Sequence, residues 1–236
     1  MIDRLEDYMV GIATGVRFRA NFSIEDQLGQ IVDRILYSRN SYFNPSIFPI
    51  VRGNVGQKTL SNDDTADKLQ IDNSNIILEL QFGTRFSAAD LDEIHHQFEE
   101  EIIKGVMKTF AIKEIMRLGY ITRYVFPMQE LAKTFVDKTI GKTLGGVNDI
   151  NLRFSKKLAI DEALVKAAVN DHNNAIFNII KKADRDEIFM SVDFQTYYDP
   201  FLPGAAEIEF EPFIKQAQSF TSRKYLPWLN ANYIEA

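Results

Sequence analysis

Alternation of apolar and polar residues is the sequence feature that most constrains this fold. Over residues 10–22, apolar side chains recur at nearly every second position and small or basic residues fill the positions between. A period of two places neighbouring side chains on opposite faces of a strand, so the pattern predicts a strand that is buried on one face. Residues 76–82 and 115–126 alternate in the same way. Half-buried strands of this kind are typical of antiparallel sheets with one face covered.

Helix signals separate these strands in the first half of the chain. Ser23 is predicted to cap a helix, because the apolar residues after it fall on one helical stripe. The sequence Ser87-Ala-Ala-Asp is a second capping signal and opens a long helix over residues 88–110. Residues 68–71 and 76–82 form a predicted hairpin. The first half therefore has the order β-α-loop-β-β-α-β.

The second half is predicted to resemble the first, with antiparallel strands and a long helix near its end. A short helix from Pro127 ends in a glycine-bearing turn at residues 141–147, and strands follow at 150–159, 163–169, 175–180 and 187–197. Regular βα alternation is absent, which argues against a parallel sheet. We expect an α+β fold with mostly antiparallel sheets in two similar β-rich halves, each with a long packing helix. The halves span residues 1–140 and 141–236, or form one continuous domain.

Composition excludes several classes of function. The 236 residues include no cysteine, so disulfides, thiolate metal sites and cysteine nucleophiles are excluded. A net charge of −6 argues against general nucleic-acid binding, although it permits a local basic patch. The N-terminus is acidic without a following apolar region, and no apolar run is long enough to cross a bilayer. We therefore expect a cytoplasmic protein that does not bind membranes.

Most catalytic motifs have a simpler interpretation. Residues 141–143 read Gly-Lys-Thr, but a phosphate loop needs a glycine at the position of Val136, so a helix-ending turn is favoured. His172 lies at the tip of a predicted hairpin, a poor position for catalysis. The acidic loop lacks the spacing and the glycine of a calcium site, so we expect a solvated loop at Asp63, Asp64 and Asp67.

Two histidines on the long helix leave an alternative open. His95 lies in the apolar stripe, which favours a hydrogen-bonded core histidine. The pairs His95 with Glu99 and His96 with Glu100 have the i, i+4 spacing that could chelate a metal from one helix. The H-E-x-x-H pattern of a metalloprotease is missing. We expect no metal and no cofactor, with a metal-dependent enzyme as the alternative.

Arginines on two strands are the most informative feature. Arg17 and Arg19 are predicted on one face of the first strand, and Arg117 and Arg123 share one parity of the strand at residues 115–126. If the two strands are neighbours, four guanidinium groups share a face that could bind an anion or a nucleic acid. The structural alternative is cross-strand pairing with acids such as Glu79.

The segment Arg117-Leu-Gly-Tyr-Ile-Thr-Arg-Tyr carries a family resemblance. An Arg-x-Gly-apolar strand directly after a long helix is similar to the central motif of a sporadically distributed family of uncharacterised bacterial proteins. The Arg-Tyr pair falls later here than in that motif. The resemblance implies an N-terminal strand, a helix leading into the motif and a strand-rich second half closed by a helix. It brings no activity or catalytic residue, and its patchy occurrence is typical of accessory genes such as those of defence against phage.

These observations favour a binding protein over an enzyme. We expect a non-catalytic cytoplasmic binding or interaction module, as an accessory subunit of a bacterial defence-like system. A protein partner or self-association is expected, together with a local anionic ligand on the arginines, which are Arg17, Arg19, Arg117 and Arg123. The rival hypothesis is a metal-dependent enzyme or nuclease-like effector that uses His95 or His96 with Glu99 or Glu100.

Overall fold

One nine-stranded antiparallel sheet organises the computed structural model. The structure describes residues 2–38, 41–82, 85–126, 149–160, 167–182, 185 and 187–231. In chain order the strands are β1 (Met9–Phe18), β2 (Ile50–Gly53), β3 (Gln57–Ser61), β4 (Lys68–Asp72), β5 (Asn75–Gln81), β6 (Ile115–Phe126), β7 (Ile150–Leu158), β8 (His172–Lys181) and β9 (Ile188–Leu202). They lie in the order β2-β3-β4-β5-β1-β6-β9-β8-β7. The predicted α+β class with mostly antiparallel strands is confirmed.

The described helices contribute to a single aromatic core. Helix α1 is Ser23–Leu36, and α2 (Ala88–Gln97) continues through a π-helical segment, Phe98–Ile103, into α3 (Lys104–Thr109). Near the C-terminus, α4 (Phe210–Phe220) continues through the π-helical segment Thr221–Tyr225 into α5 (Leu226–Leu229). Apolar side chains of helices and strands belong to one buried cluster. The Phe98 ring contacts Phe210, and the Phe213 ring contacts Phe194 of β9.

The strand order has a two-fold arrangement about the β1–β6 pair. On one side β1 pairs with β5, followed by β4 and β3; on the other β6 pairs with β9, followed by β8 and β7. A long helix follows β5 and another follows β9. The two halves are therefore similar in the order in which their strands are connected. In this arrangement β6 belongs with β7, β8 and β9. Both halves contribute to one sheet, and β1 and β6 lie at its centre.

The first strand ends earlier than its alternation predicts. The pairing of β1 with β6 shifts register between Arg17 and Phe18, and β1 ends there. Phe22, predicted to lie inward, is 68% exposed. The Ser23 side chain accepts no capping hydrogen bond; instead Asn21 Oδ1 accepts from the Ser23 backbone N–H at 3.0 Å. The predicted Ser23 cap is therefore wrong, although the helix begins at that residue.

The second capping signal is confirmed, with one difference in the helix that follows. Ser87 and Asp90 form a reciprocal capping box at the start of α2. The predicted helix over residues 88–110 is interrupted by the π-helical segment Phe98–Ile103. Capping is a local interaction and is readable from sequence, whereas a π turn depends on packing against neighbouring elements.

One predicted strand of the second half differs from the structure in the part that is described. Within the predicted strand at residues 163–169, the described residues 167–169 lie outside any strand, and Val169 is fully exposed. Strand β8 instead begins at His172 and pairs with β7 and β9. The short helix from Pro127, the glycine turn at 141–147 and the Gly-Lys-Thr segment lie outside the described residues. None of the described helices combines the length and apolar composition that a bilayer crossing requires.

Candidate anion-binding face of the sheet

Two arginines lie directly opposite each other on the central strands. Arg17 of β1 is the cross-strand partner of Arg117 of β6. Like charges in this position destabilise a sheet. Within the described part of the chain, the exposed Arg17 guanidinium has no hydrogen-bond or ion-pair partner. The pair therefore holds two positive charges that no described acid bridges.

Arg117 is held in place by neutral groups of β9. Its Nη1 donates to Gln195 Oε1 at 3.2 Å and to Tyr197 Oη at 3.0 Å. The guanidinium carbon lies 5.4 Å from the centre of the Tyr197 ring, within the range of a cation–π contact. Neutral acceptors fix the orientation of a guanidinium without cancelling its charge, so Arg117 keeps its charge for a further partner.

A shallow depression lies beside this pair. Its volume is about 170 Å³, and its lining includes Gly15, Gly119, Asn75, Asp193 and Gln195. Gly15 and Gly119 are themselves cross-strand partners. A Cβ atom at Gly15 would come within 2.3 Å of the Ile76 carbonyl oxygen, whereas a Cβ at Gly119 would meet nothing within 4 Å. Gly15 is needed for close strand packing, and Gly119 leaves open space next to the arginines.

The acids of this face are already engaged. Glu79 of β5 forms an ion pair with Arg123 at 3.6 Å. This is the cross-strand pairing that the sequence offered as the alternative to anion binding. Asp193 Oδ2 accepts from Gln195 Nε2 at 2.6 Å. Burial raises the pKa of Asp193, and the nearby Arg117 and Arg153 partly oppose that effect. The side chains of β5, β1, β6 and β9 that point away from the helices form one face of the sheet, which we call the arginine face. It includes Arg17, Arg117, Gly119, Arg123 and Asp193.

The structure places the four predicted arginines in three different environments. Arg17 and Arg117 form the unbridged pair, and Arg123 is on the same face but bound to Glu79. Arg19 lies beyond the end of β1, where its exposed side chain pairs with Glu114 at 2.9 Å. The expectation that Arg19 shares the face is wrong, because β1 ends before that residue.

Sequence reasoning missed the neutral residues of the arginine face. Gly119, Gln195 and Asp193 reach the site only through the register of β1, β6 and β9. The sequence does contain one signal for this site. Each central strand has a glycine, Gly15 or Gly119, on the same face as its arginines. Two glycines in alternating strands indicate close backbone approach or a gap in the side-chain layer.

The rival His and Glu residues lie behind the sheet and do not assemble into one cluster. His95 is 5% exposed and faces Tyr120 of β6 edge-on, at 5.8 Å between ring centres. His96 is exposed. Glu99 and Glu100 both pair with Lys104, at 2.8 Å and 2.5 Å. Among the described residues, no group of three or more His, Asp or Glu side chains is arranged to hold a metal ion.

His95 differs from the hydrogen-bonded core histidine that its position predicts. Neither of its ring nitrogens has a partner among the described residues. Burial lowers the pKa of His95 to about 4, so the imidazole is neutral at physiological pH. The residue is in the core as expected, but its polar atoms are unsatisfied.

Two further predictions were only partly right. His172 begins β8 rather than forming a hairpin tip, and its ring stacks on Tyr197 at 5.2 Å. Asp63 pairs with Arg52 at the surface. Asp67 is completely buried, so the solvated-loop prediction is wrong for this residue. Its carboxylate accepts from both Arg85 Nη atoms at 2.9 Å and from the Gln81 N–H at 2.8 Å.

Comparisons with known proteins do not assign this chain to a class. No protein-family model matches the sequence, and a search of curated proteins finds no related chain. The resemblance to the sporadically distributed bacterial family therefore stays a prediction.

Proposed function

We propose that the protein is a binding module whose arginine face takes an anionic group of its partner between Arg17 and Arg117. The observation that carries this proposal is the directly opposed arginine pair without a bridging acid. An oxyanion placed between two guanidinium groups accepts several charge-assisted hydrogen bonds and removes their repulsion. Carboxylate and phosphate groups share this chemistry.

The surroundings of the pair support an anion rather than a cation. Arg123 pairs with Glu79, Asp193 accepts a hydrogen bond from Gln195, and burial favours the neutral form of Asp193 by raising its pKa. The space over Gly119 lets an oxyanion approach the strand backbone closely. A chain with a net charge of −6 therefore presents a small, local anion site.

The setting of this module is part of the same proposal. Cytoplasmic residence rests on the composition and on the N-terminal sequence. The role of accessory subunit in a bacterial defence-like system rests on the resemblance around Arg117. A protein partner or a second copy of the chain would supply the anionic group. Size-exclusion chromatography with light scattering distinguishes these two, because only self-association makes the mass depend on concentration.

The binding test is a titration followed by nuclear magnetic resonance. Inorganic phosphate and a short polyglutamate peptide are added separately at low salt, and backbone amides and arginine Nε groups are observed. We expect the largest shifts at Gly119, Arg17 and Arg117. Arg17→Ala should weaken binding about fivefold, since an exposed charged hydrogen bond contributes about 1 kcal/mol.

Arg19→Ala is the matched control. Arg19 is also exposed and is close in sequence, but it is already paired with Glu114. Its removal should change the affinity less than twofold. Equal losses in the two variants would show that only general charge attracts the probe, and an absence of shifts at Gly119 and Arg117 would remove the arginine face from consideration. Phosphate binding without peptide binding assigns the anion as a phosphate.

A further inference from the structure

A groove between α2 and α4 contains a buried histidine without partners. The cavity measures about 370 Å³, within the usual size of small-molecule sites, and His95, Glu99, Gln218 and Ile214 are among its lining residues. We call it the helix groove. His95 is almost completely buried, yet both ring nitrogens lack a hydrogen-bond partner among the described residues. Leaving a buried polar group unsatisfied is unfavourable, and a ligand in the groove that hydrogen-bonds to His95 would remove this cost.

The charged residues around the groove are mostly acidic. The described titratable side chains that line it with His95 are Asp92, Glu93, His96, Glu99, Glu211 and Lys215. Lys215 is bound to Glu211 at 2.5 Å, so its charge is already used. Asp92 has no ion-pair or hydrogen-bond partner among the described residues. The groove therefore repels anions and attracts cations.

The floor of the groove combines a neutral acceptor with a carboxylate. Because burial keeps the His95 imidazole neutral, one ring nitrogen has a free lone pair and does not repel a cation. Glu99 is also buried and lies one helical turn after His95, in the π-helical segment Phe98–Ile103, where Lys104 pairs with it at 2.8 Å. Single π turns inside helices frequently mark functional sites.

We propose that the helix groove binds a small organic cation through a primary ammonium group. An ammonium group carries three N–H donors, which can reach the lone pair of His95 and the carboxylate of Asp92, which has no ion-pair partner among the described residues. The site is separate from the arginine face, since α2 and α4 pack behind the sheet. It requires neither a metal nor the proposed anion-binding function.

The test uses the fact that the chain has only three histidines. Protein labelled with ¹⁵N-histidine is titrated with 1,4-diaminobutane, and the ring nitrogens are followed by nuclear magnetic resonance. We expect the His95 nitrogens to shift and those of His172 to stay unchanged. The uncharged 1,4-butanediol and the dianion succinate, which have the same chain length, should not bind.

Variants separate the contribution of His95 from general attraction to acids. His95→Phe should weaken diamine binding about tenfold, the loss expected for one hydrogen bond to a charged group. His96→Ala, the exposed neighbour, should change it less than twofold. Asp92→Asn lies at the exposed rim and tests the charge requirement without disturbing the core. Unchanged His95 signals, equal binding of butanediol or succinate, or wild-type affinity in both His95→Phe and Asp92→Asn would overturn the proposal.

Discussion

Asp67 and His95 are both buried ionisable residues, and they differ in how completely their polar atoms are satisfied. Asp67 accepts from Arg85, from the Gln81 backbone and from Thr65 Oγ1. His95 has an aromatic neighbour, Tyr120, but no hydrogen-bond partner among the described residues. Burial of a polar group is tolerated when it is fully paired and is unfavourable when it is not. The first residue is therefore explained by the fold, and the second requires a further explanation.

The same contrast separates the arginines of the sheet. Arg123 is paired with Glu79 across β1, as a structural role requires. Arg17 faces Arg117 and has no acid beside it within the described residues. In both comparisons, the group that is paired with an opposite charge stabilises the protein, and the group without such a partner is available to a ligand. The stability of variants can test this distinction before any ligand is identified.

Asp67→Ala should have the largest effect on stability. It removes a buried carboxylate that accepts from Thr65, from the Gln81 N–H and from the partly exposed Arg85 guanidinium, and the loss of two or more charged hydrogen bonds costs about 3–5 kcal/mol. Asp63→Ala is the matched control in the same loop, because its ion pair with Arg52 is exposed and should contribute little to stability. Urea denaturation measures both. A small loss for Asp67→Ala would show that its pairing is not what fixes this loop.

His95 should make the protein sensitive to acid. Its pKa is about 4 in the folded chain and near 6.5 when unfolded, so the unfolded state binds more protons between these values. The free energy of unfolding should therefore fall as the pH decreases from 6.5 to 4, by about 3 kcal/mol. Chemical denaturation across this range measures the slope. His95→Phe should flatten it, whereas His96→Ala should not; an equal slope in His95→Phe would contradict the assignment.

Local sequence features predicted much of the fold but little of its pairing. Alternation located β6 at its observed bounds, and Ser87 with Asp90 marked the start of α2, because both signals depend on neighbouring residues. The position of β1 between β5 and β6 depends on contacts far apart in sequence. Residues 167–169 show the limit, since an apolar segment was assigned to a strand that does not form there.

The candidate site was predictable to the same degree. Parity alone placed Arg17, Arg117 and Arg123 on one face, because parity is a local property of each strand. Arg19 was misplaced because the register shift that ends β1 is set by its contact with β6. The role of Gln195 in holding Arg117 depends on the β6–β9 register and has no local signal.

The glycine pair should respond to alanine with opposite signs. Gly119→Ala places a methyl group in open space and restricts the unfolded chain, so it should stabilise the protein by about 0.5–1 kcal/mol. Gly15→Ala forces a Cβ against the Ile76 carbonyl and should destabilise by about 1–3 kcal/mol. Thermal and urea denaturation measure the difference.

Phosphate binding should weaken in Gly119→Ala despite its higher stability, and the bulkier Gly119→Val should weaken it further. Unchanged affinity in both would show that the anion does not use the depression.

The smallest effect concerns the arginine pair itself. Arg17→Gln removes one of two like charges that face each other, so the free energy of unfolding should rise by a few tenths of a kcal/mol, the scale of such cross-strand terms. Arg123→Gln removes a charge that is paired with Glu79, so it should lower that energy or leave it unchanged. The two variants delete the same charge on the same face, so their difference isolates pairing from net charge. Denaturation at low and high salt measures this difference in the free energy of unfolding, because screening should abolish the gain in Arg17→Gln.

If both variants shift stability in the same direction, the two arginines do not differ in the way that the unbridged pair requires. A gain for Arg17→Gln together with weaker phosphate binding would show that the arginine pair costs stability and serves a ligand.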